Sequence, residues 1–129
     1  MAAKVLVIED SRVMGEVMVF NLRHHGYQAQ LAVNGSQALE MMQAQDFQVV
    51  LLDYQIPRMN GEEICQAMRQ LPGYAQTPVI ICSAKGYELD ATRLREELGI
   101  ANVLPKPFSP LELMALVNEL TASATPASY

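Results

Sequence analysis

Three runs of four consecutive apolar residues, at 5–8, 49–52 and 79–82, each stop abruptly at a polar residue: the first at Glu9-Asp10, the second at Asp53, the third at Ser83. An unbroken apolar run of this length has no polar side to turn toward water, so it reads as a strand buried on both faces. Strands of that kind belong to parallel sheets, whose crossover connections cover both faces with helices. That pattern predicts an α/β, doubly wound sheet.

The intervening segments agree. Ser11 is a good helix N-cap, and Val13, Val17 and Phe20 recur at helical spacing after it, with Met14 and Met18 beside them, until Gly26 offers a helix terminus. Residues 27–31 predict a strand, Asn34-Gly35 a turn and residues 36–45 a helix. After Asp53, a turn with Pro57 and Gly61 leads to a helix over 62–71 that Pro72-Gly73 ends. Beyond Ser83, Tyr87, Ala91, Leu94 and Leu98 line one face of a helix that stops at Gly99. Residues 101–104 are a short fifth strand, broken by Pro105-Lys106-Pro107. Ser109-Pro110 then opens a last helix, with Leu111, Met114, Leu116 and Val117 expected to face inward. Residues 1–120 make one domain. Residues 121–129, rich in Ala, Ser and Thr, read as a flexible tail or the start of a linker.

Composition narrows the function classes. No apolar run approaches the ~20 residues of a membrane span, and the opening residues lack a secretory apolar region, so the expected location is the cytoplasm, away from membranes. A net charge of -5, with basic residues scattered along the chain, argues against direct nucleic-acid binding. Cys65 and Cys82 sit inside apolar patterns and read as buried free thiols. The eight methionines, Met14, Met18, Met41 and Met42 among them, read as core packing, and His24 and His25 as favourable charge at a helix C-terminus.

In a doubly wound sheet, ligands bind outside the carboxyl ends of the strands. Glu9, Asp10, Asp53, Ser83 and Lys106 all follow strands and so meet at that edge. Three carboxylates held together raise one another's pKa and call for a cation, and Mg²⁺ is the hard ion that suits them. A carboxylate beside such an ion can attack a phosphoryl group. Asp53, standing alone at the end of its strand, is the best-placed nucleophile, with Lys106 and Ser83 as donors to phosphoryl oxygens.

Glu9-Asp10, the segment from Asp53 to Gly61 (DYQIPRMNG), Ser83-Ala84 and Lys106-Pro107-Phe108 together resemble the two-component response-regulator receiver domain, over residues 4–120. That resemblance implies a five-stranded parallel sheet of flavodoxin-like order 2-1-3-4-5. It implies Asp53 as phosphoacceptor from a sensor histidine kinase or phosphotransfer protein, and Mg²⁺ held by Glu9, Asp10, Asp53 and the Gln55 carbonyl. Ser83, Ala84 and Lys106 would bind the phosphoryl group and act in the switch, with a cis peptide before Pro107. Gln55 and Lys85 match positions that tune hydrolysis. Tyr87 and Val103 lie on the output face, formed by the fourth helix, fifth strand and fifth helix. That face would bind an output protein, an output domain outside this chain, or a second copy. One position departs from the pattern: Val103 stands where many members carry a switch aromatic, so Ser83 is expected to carry the signal instead.

Two other readings compete. Phosphohydrolases of the haloacid dehalogenase class also use an Asp nucleophile with Mg²⁺, but they carry a second Asp two residues later as general acid/base, and here that residue is Gln55. A flavodoxin-like cofactor binder would need a phosphate-cradling loop where Glu9-Asp10 stands. The expectation is a signalling switch rather than a turnover enzyme.

Overall fold

The computed structural model describes residues 3–56, 58–84 and 89–124. Five strands, β1 (Lys4–Ile8), β2 (Gln28–Ala32), β3 (Val49–Asp53), β4 (Val79–Ser83) and β5 (Asn102–Pro105), alternate with five helices. These are α1 (Arg12–His24), α2 (Gly35–Ala44), α3 (Gly61–Arg69), α4 (Ala91–Leu98) and α5 (Pro110–Ala124). The strands pair in parallel in the order β2-β1-β3-β4-β5, as expected.

The pleat sorts the strand residues into two cores. Leu6, Ile8, Val50, Leu52 and Ile81 point to one face, where Ala38 and Met42 of α2, Ile64, Cys65 and Met68 of α3, and Leu94 and Leu98 of α4 cover them. Val5, Val7, Val49, Leu51, Ile80 and Cys82 point to the other, under Met18, Val19 and Leu22 of α1 and Leu113, Met114 and Val117 of α5. Alternate residues of a strand project to opposite faces, so a continuous apolar run feeds both layers. Cys65 and Cys82 are both buried free thiols on opposite sides of the sheet.

Each helix start has a local cause. Ser11 caps α1 by accepting from the Met14 amide, Asn34 caps α2 through Gln37 N, and Asn60 with Glu63 forms a reciprocal capping box on α3. Asn34 therefore does more than turn the chain. Asp90 caps α4 by accepting from Arg93 N, so the described helix begins at Ala91, and Tyr87 lies outside the described residues. Gly15 lets α1 lie close on β2, since a Cβ there would sit 2.4 Å from a Leu31 methyl.

Three expectations are corrected. Val13, Val17 and Phe20 of α1 are 74%, 50% and 68% exposed, and Met14 is exposed with them, so that methionine is not core. The helix turns Gly15, Met18, Val19 and Leu22 to the sheet instead, and at ~100° per residue the Val13-Val17-Phe20 stripe is on its opposite side. In α5 the inward arc is set by Leu113, Met114 and Val117, which leaves Leu111 about 120° away and exposed. The helix also continues through residues 121–124, which were expected to belong to the tail. Thr121 bonds its hydroxyl to the Val117 carbonyl one turn back, a contact compatible with helix, and alanine favours it.

Candidate functional site

The acid pair follows β1, Asp53 is the last residue of β3, Ser83 the last of β4, and Lys106 follows β5. β1, β3 and β4 are adjacent and parallel, so all these ends open on one edge of the sheet. Glu9 and Asp53 are buried there, Ser83 completely, while Asp10 faces solvent.

Lys106 closes the group. Its Nζ donates to Glu9 Oε1 at 3.1 Å and to Asp53 Oδ2 at 3.2 Å, tying residues 97 and 53 positions apart in the chain. The other oxygens are held by backbone: Ser11 N donates to Glu9 Oε2 at 3.1 Å, and Gln55 N to Asp53 Oδ1 at 3.1 Å. Burial alone would push the Lys106 ammonium down. The bond to Glu9 and the charges of Asp53 and Glu9 outweigh it and hold Lys106 above its ordinary range. Asp10, though exposed as a residue, is pushed up, first by partial desolvation of its carboxyl beside the cluster and then by the hydrogen bond and charge of Glu9. The peptide between Lys106 and Pro107 is cis, as expected.

Oxygens of Glu9, Asp10 and Asp53 come within 4.8 Å of one another. A donor set made only of carboxylate oxygens, one of them on an exposed side chain, suits a hard divalent cation that keeps part of its water shell. Lys106 answers part of the negative charge, and among the described residues no lysine or arginine forms an ion pair with Asp10. The residues present therefore fit Mg²⁺.

Two hollows flank the cluster. One, of about 410 Å³, lies beside Asp10 and is lined by Asn34, Gly35, Ser36, Arg58 and Met59. Arg58 there has φ 74°, a left-handed conformation uncommon for a side-chain-bearing residue. The other is an apolar cleft of about 200 Å³ between α1 and α5, lined by Met14, Val17, Met18, Phe108, Pro110 and Leu113, and also by Glu9 and Lys106.

Of the expected site residues, Glu9, Asp10, Asp53 and Lys106 meet at this edge, and the Gln55 amide binds Asp53. Lys85 and Tyr87 lie outside the described residues, as does Pro57 of the loop after Asp53. Ala84 is exposed in the turn after Ser83, and Val103 is half-buried on β5, packed against the core under α4. Ser83 does not cap α4, because Asp90 does. The sequence reading missed the α1–α5 cleft, whose signal was a helix apolar on two opposite sides. It also missed a polar chain from Tyr54 through Glu62 to Arg93, which bridges elements far apart in sequence.

The family model described as the response regulator receiver domain matches residues 5–118. Among solved structures, the chain is similar to the chemotaxis protein CheY4 of Vibrio cholerae, at 28% identity and a TM-score of 0.85 over 93% of this chain and 99% of that one. It resembles the Francisella response regulator 1452 receiver domain at 29% identity and TM-score 0.81, covering 95% and 99%. The receiver domain of the sensor histidine kinase PA1611 from Pseudomonas aeruginosa PAO1 aligns at 25% identity and TM-score 0.82, covering 95% and 99%. That structure has a magnesium ion coordinated in its active-site cleft.

Proposed function

Because the chain belongs to the response regulator receiver domain family, we propose that Asp53 is its phosphoacceptor, loaded in the cytoplasm by a sensor histidine kinase or phosphotransfer protein. The observation that carries this reading is the tie from Lys106 to both Glu9 and Asp53, which fixes one strand-end carboxylate against a cation beside an acid pair. Glu9, Asp10 and Asp53, with the Gln55 carbonyl, would hold Mg²⁺, which supplies charge neutralisation for an incoming phosphoryl group.

An Asp53 carboxylate oxygen attacks phosphorus, and the bond from phosphorus to the donor breaks with its electron pair leaving on the donor. Lys106 faces the added negative charge, and the Ser83 hydroxyl and Ala84 N–H donate to phosphoryl oxygens. Gln55 and Lys85 set how readily water reaches the product. With Gln55 where a hydrolase needs an acid, the protein is a switch without phosphatase turnover. Ser83 draws its loop toward the phosphoryl group, and the face formed by α4, β5 and α5 presents the change to an output protein, an output domain or a second copy. Intact-mass measurement with acetyl phosphate tests the reading. One phosphoryl group is expected per chain, only with Mg²⁺ present, and uptake undiminished in EDTA would overturn it.

The α1–α5 cleft supports docking of a protein donor on this face. It is apolar, shares Val17 with the exposed Val13-Val17-Phe20 stripe, and is lined also by Glu9 and Lys106. An apolar patch rimmed by polar residues is a common protein contact, and this one is lined by Lys106, which binds Asp53. Val17→Asp with Phe20→Asp should slow transfer from a phosphohistidine protein at least ~10-fold, since buried interface charge costs several kcal/mol. Uptake from acetyl phosphate should be unchanged. Equal slowing with both donors would place the defect in the site and not in docking.

A further inference from the structure

The residue next to the acceptor is anchored and then wired outward. Tyr54 N donates to the Cys82 carbonyl at 3.0 Å, and its own carbonyl accepts from Gly61 N at 2.9 Å. A Cβ on Gly61 would stand 3.0 Å from Tyr54 Cα, so the start of α3 is pressed against this residue. The ring packs against the core under α2, α3 and α4. Its hydroxyl donates to Glu62 Oε2 at 2.6 Å, and Arg93 Nη2 donates to the same oxygen at 2.9 Å. Arg93 lies in the first turn of α4, and its Nη1 reaches Glu97 Oε2 at 3.0 Å.

A single carboxylate oxygen on α3 is therefore shared by a side chain adjacent to Asp53 and a side chain on α4. Glu62 is only 18% exposed and Arg93 44%, so the shared oxygen is partly screened from water while the arginine can leave it for solvent. Arg93 can move to water while the Tyr54 hydroxyl still donates to Glu62, so the tie can open. Val103, a β-branched residue packed on β5, has no ring with which to couple the site to α4 by changing rotamer.

We propose that Tyr54, Glu62 and Arg93 form a latch that positions the first turn of α4 in the unmodified state. A group bound at Asp53 and the opening of this latch are then thermodynamically linked. The inference rests on Asp53 being the site of modification. Tyr54 and Arg93 are positioning residues in it and touch no substrate. By linkage, whatever weakens the latch without touching the site must favour the state the bound group favours, and so must tighten binding of that group.

The probe is beryllofluoride with Mg²⁺, followed by amide chemical shifts in wild type, Tyr54→Phe, Arg93→Gln and the double variant. Glu97→Gln, which removes only the exposed pair with Arg93, is the control. In the two single variants, amides of residues 91–98 should move part of the way toward their beryllofluoride-bound positions before any ligand is added. Beryllofluoride should bind ~2- to 5-fold more tightly, the weight of one partly exposed charged tie. The double variant should gain no more than the larger single effect, because both substitutions open the same tie. Glu97→Gln should behave as wild type. Loss of packing alone would weaken ligand binding or leave it unchanged, so tighter binding separates a latch from a structural contact. Wild-type α4 positions and affinity in both single variants would overturn the latch while leaving the receiver reading intact. Absence of any wild-type shift at residues 53–56 would overturn the assignment of Asp53 and the latch with it.

Discussion

Asp53→Asn protein should take up no phosphoryl group from acetyl phosphate and Mg²⁺, a loss of at least ~100-fold, because a carboxamide oxygen is a poor nucleophile and no longer adds charge to the ion site. Among the described residues, no neighbour is placed to take over. Both oxygens of Glu9 are engaged, one by Lys106 and one by Ser11 N, and Asp10 is turned to solvent. The fold should persist, since the substitution removes one charge from a cluster of like charges and leaves Lys106 its bond to Glu9. Intact mass and a thermal melt on the same sample check both halves. Acid-stable, base-labile phosphate at the wild-type level in a normally folded Asp53→Asn protein would move the acceptor to Glu9 or Asp10.

Lys106→Met should be the costliest single change at the site when metal is withheld. The Glu9 side chain is 3% exposed, and without the ammonium it becomes a buried carboxylate beside two more acids. Breaking a buried pair by removing one partner costs ~3–5 kcal/mol, and the lower end applies because Lys106 is itself 26% exposed. At ~3 kcal/mol the melting temperature in EDTA should fall by about 10 °C. Mg²⁺ should restore more of the melting temperature in the variant than it adds to wild type, since ion and ammonium neutralise the same oxygens. Equal melting temperatures of variant and wild type in EDTA would show that Glu9 is satisfied without Lys106. In wild type the folded state holds the Lys106 proton above its ordinary range. Its contribution is therefore complete below the unfolded lysine value of ~10.4 and is lost only as pH rises through the folded value.

Much of this site was legible in the sequence because a parallel sheet collects residues by topology. Glu9 and Lys106 are 97 positions apart, yet each follows a strand, and the rule that strand ends share an edge brings them together without knowledge of any contact. The exposed stripe of α1 was not legible in the same way. Val13, Val17 and Phe20 have the helical spacing of a buried face, and so do Gly15, Met18, Val19 and Leu22. Periodicity measures that a helix has a side, not which side meets the sheet. The side that meets the sheet is the one carrying Gly15, which lies close to Leu31, and Met18, Val19 and Leu22, contacts between elements. The Tyr54–Glu62–Arg93 chain was hidden for a related reason. Glu62 and Arg93 are 31 positions apart on different helices, and no local spacing pairs them before α3 and α4 are laid side by side. Leu111 shows the limit at single-residue scale: α5 begins at Pro110 as its sequence implies, yet the arc buried by Leu113, Met114 and Val117 leaves that leucine in solvent.

The two buried cysteines give the molecule a pair of native clocks. Cys65 belongs to the layer under α2, α3 and α4, and Cys82, one residue before Ser83, to the layer under α1 and α5. Burial pushes the Cys82 thiol up to about 12 and Cys65 upward as well, so neither reacts with a thiol reagent until its own layer opens. Labelling rates at the two sulfurs therefore time the opening of the two sides of the sheet separately, without any introduced probe.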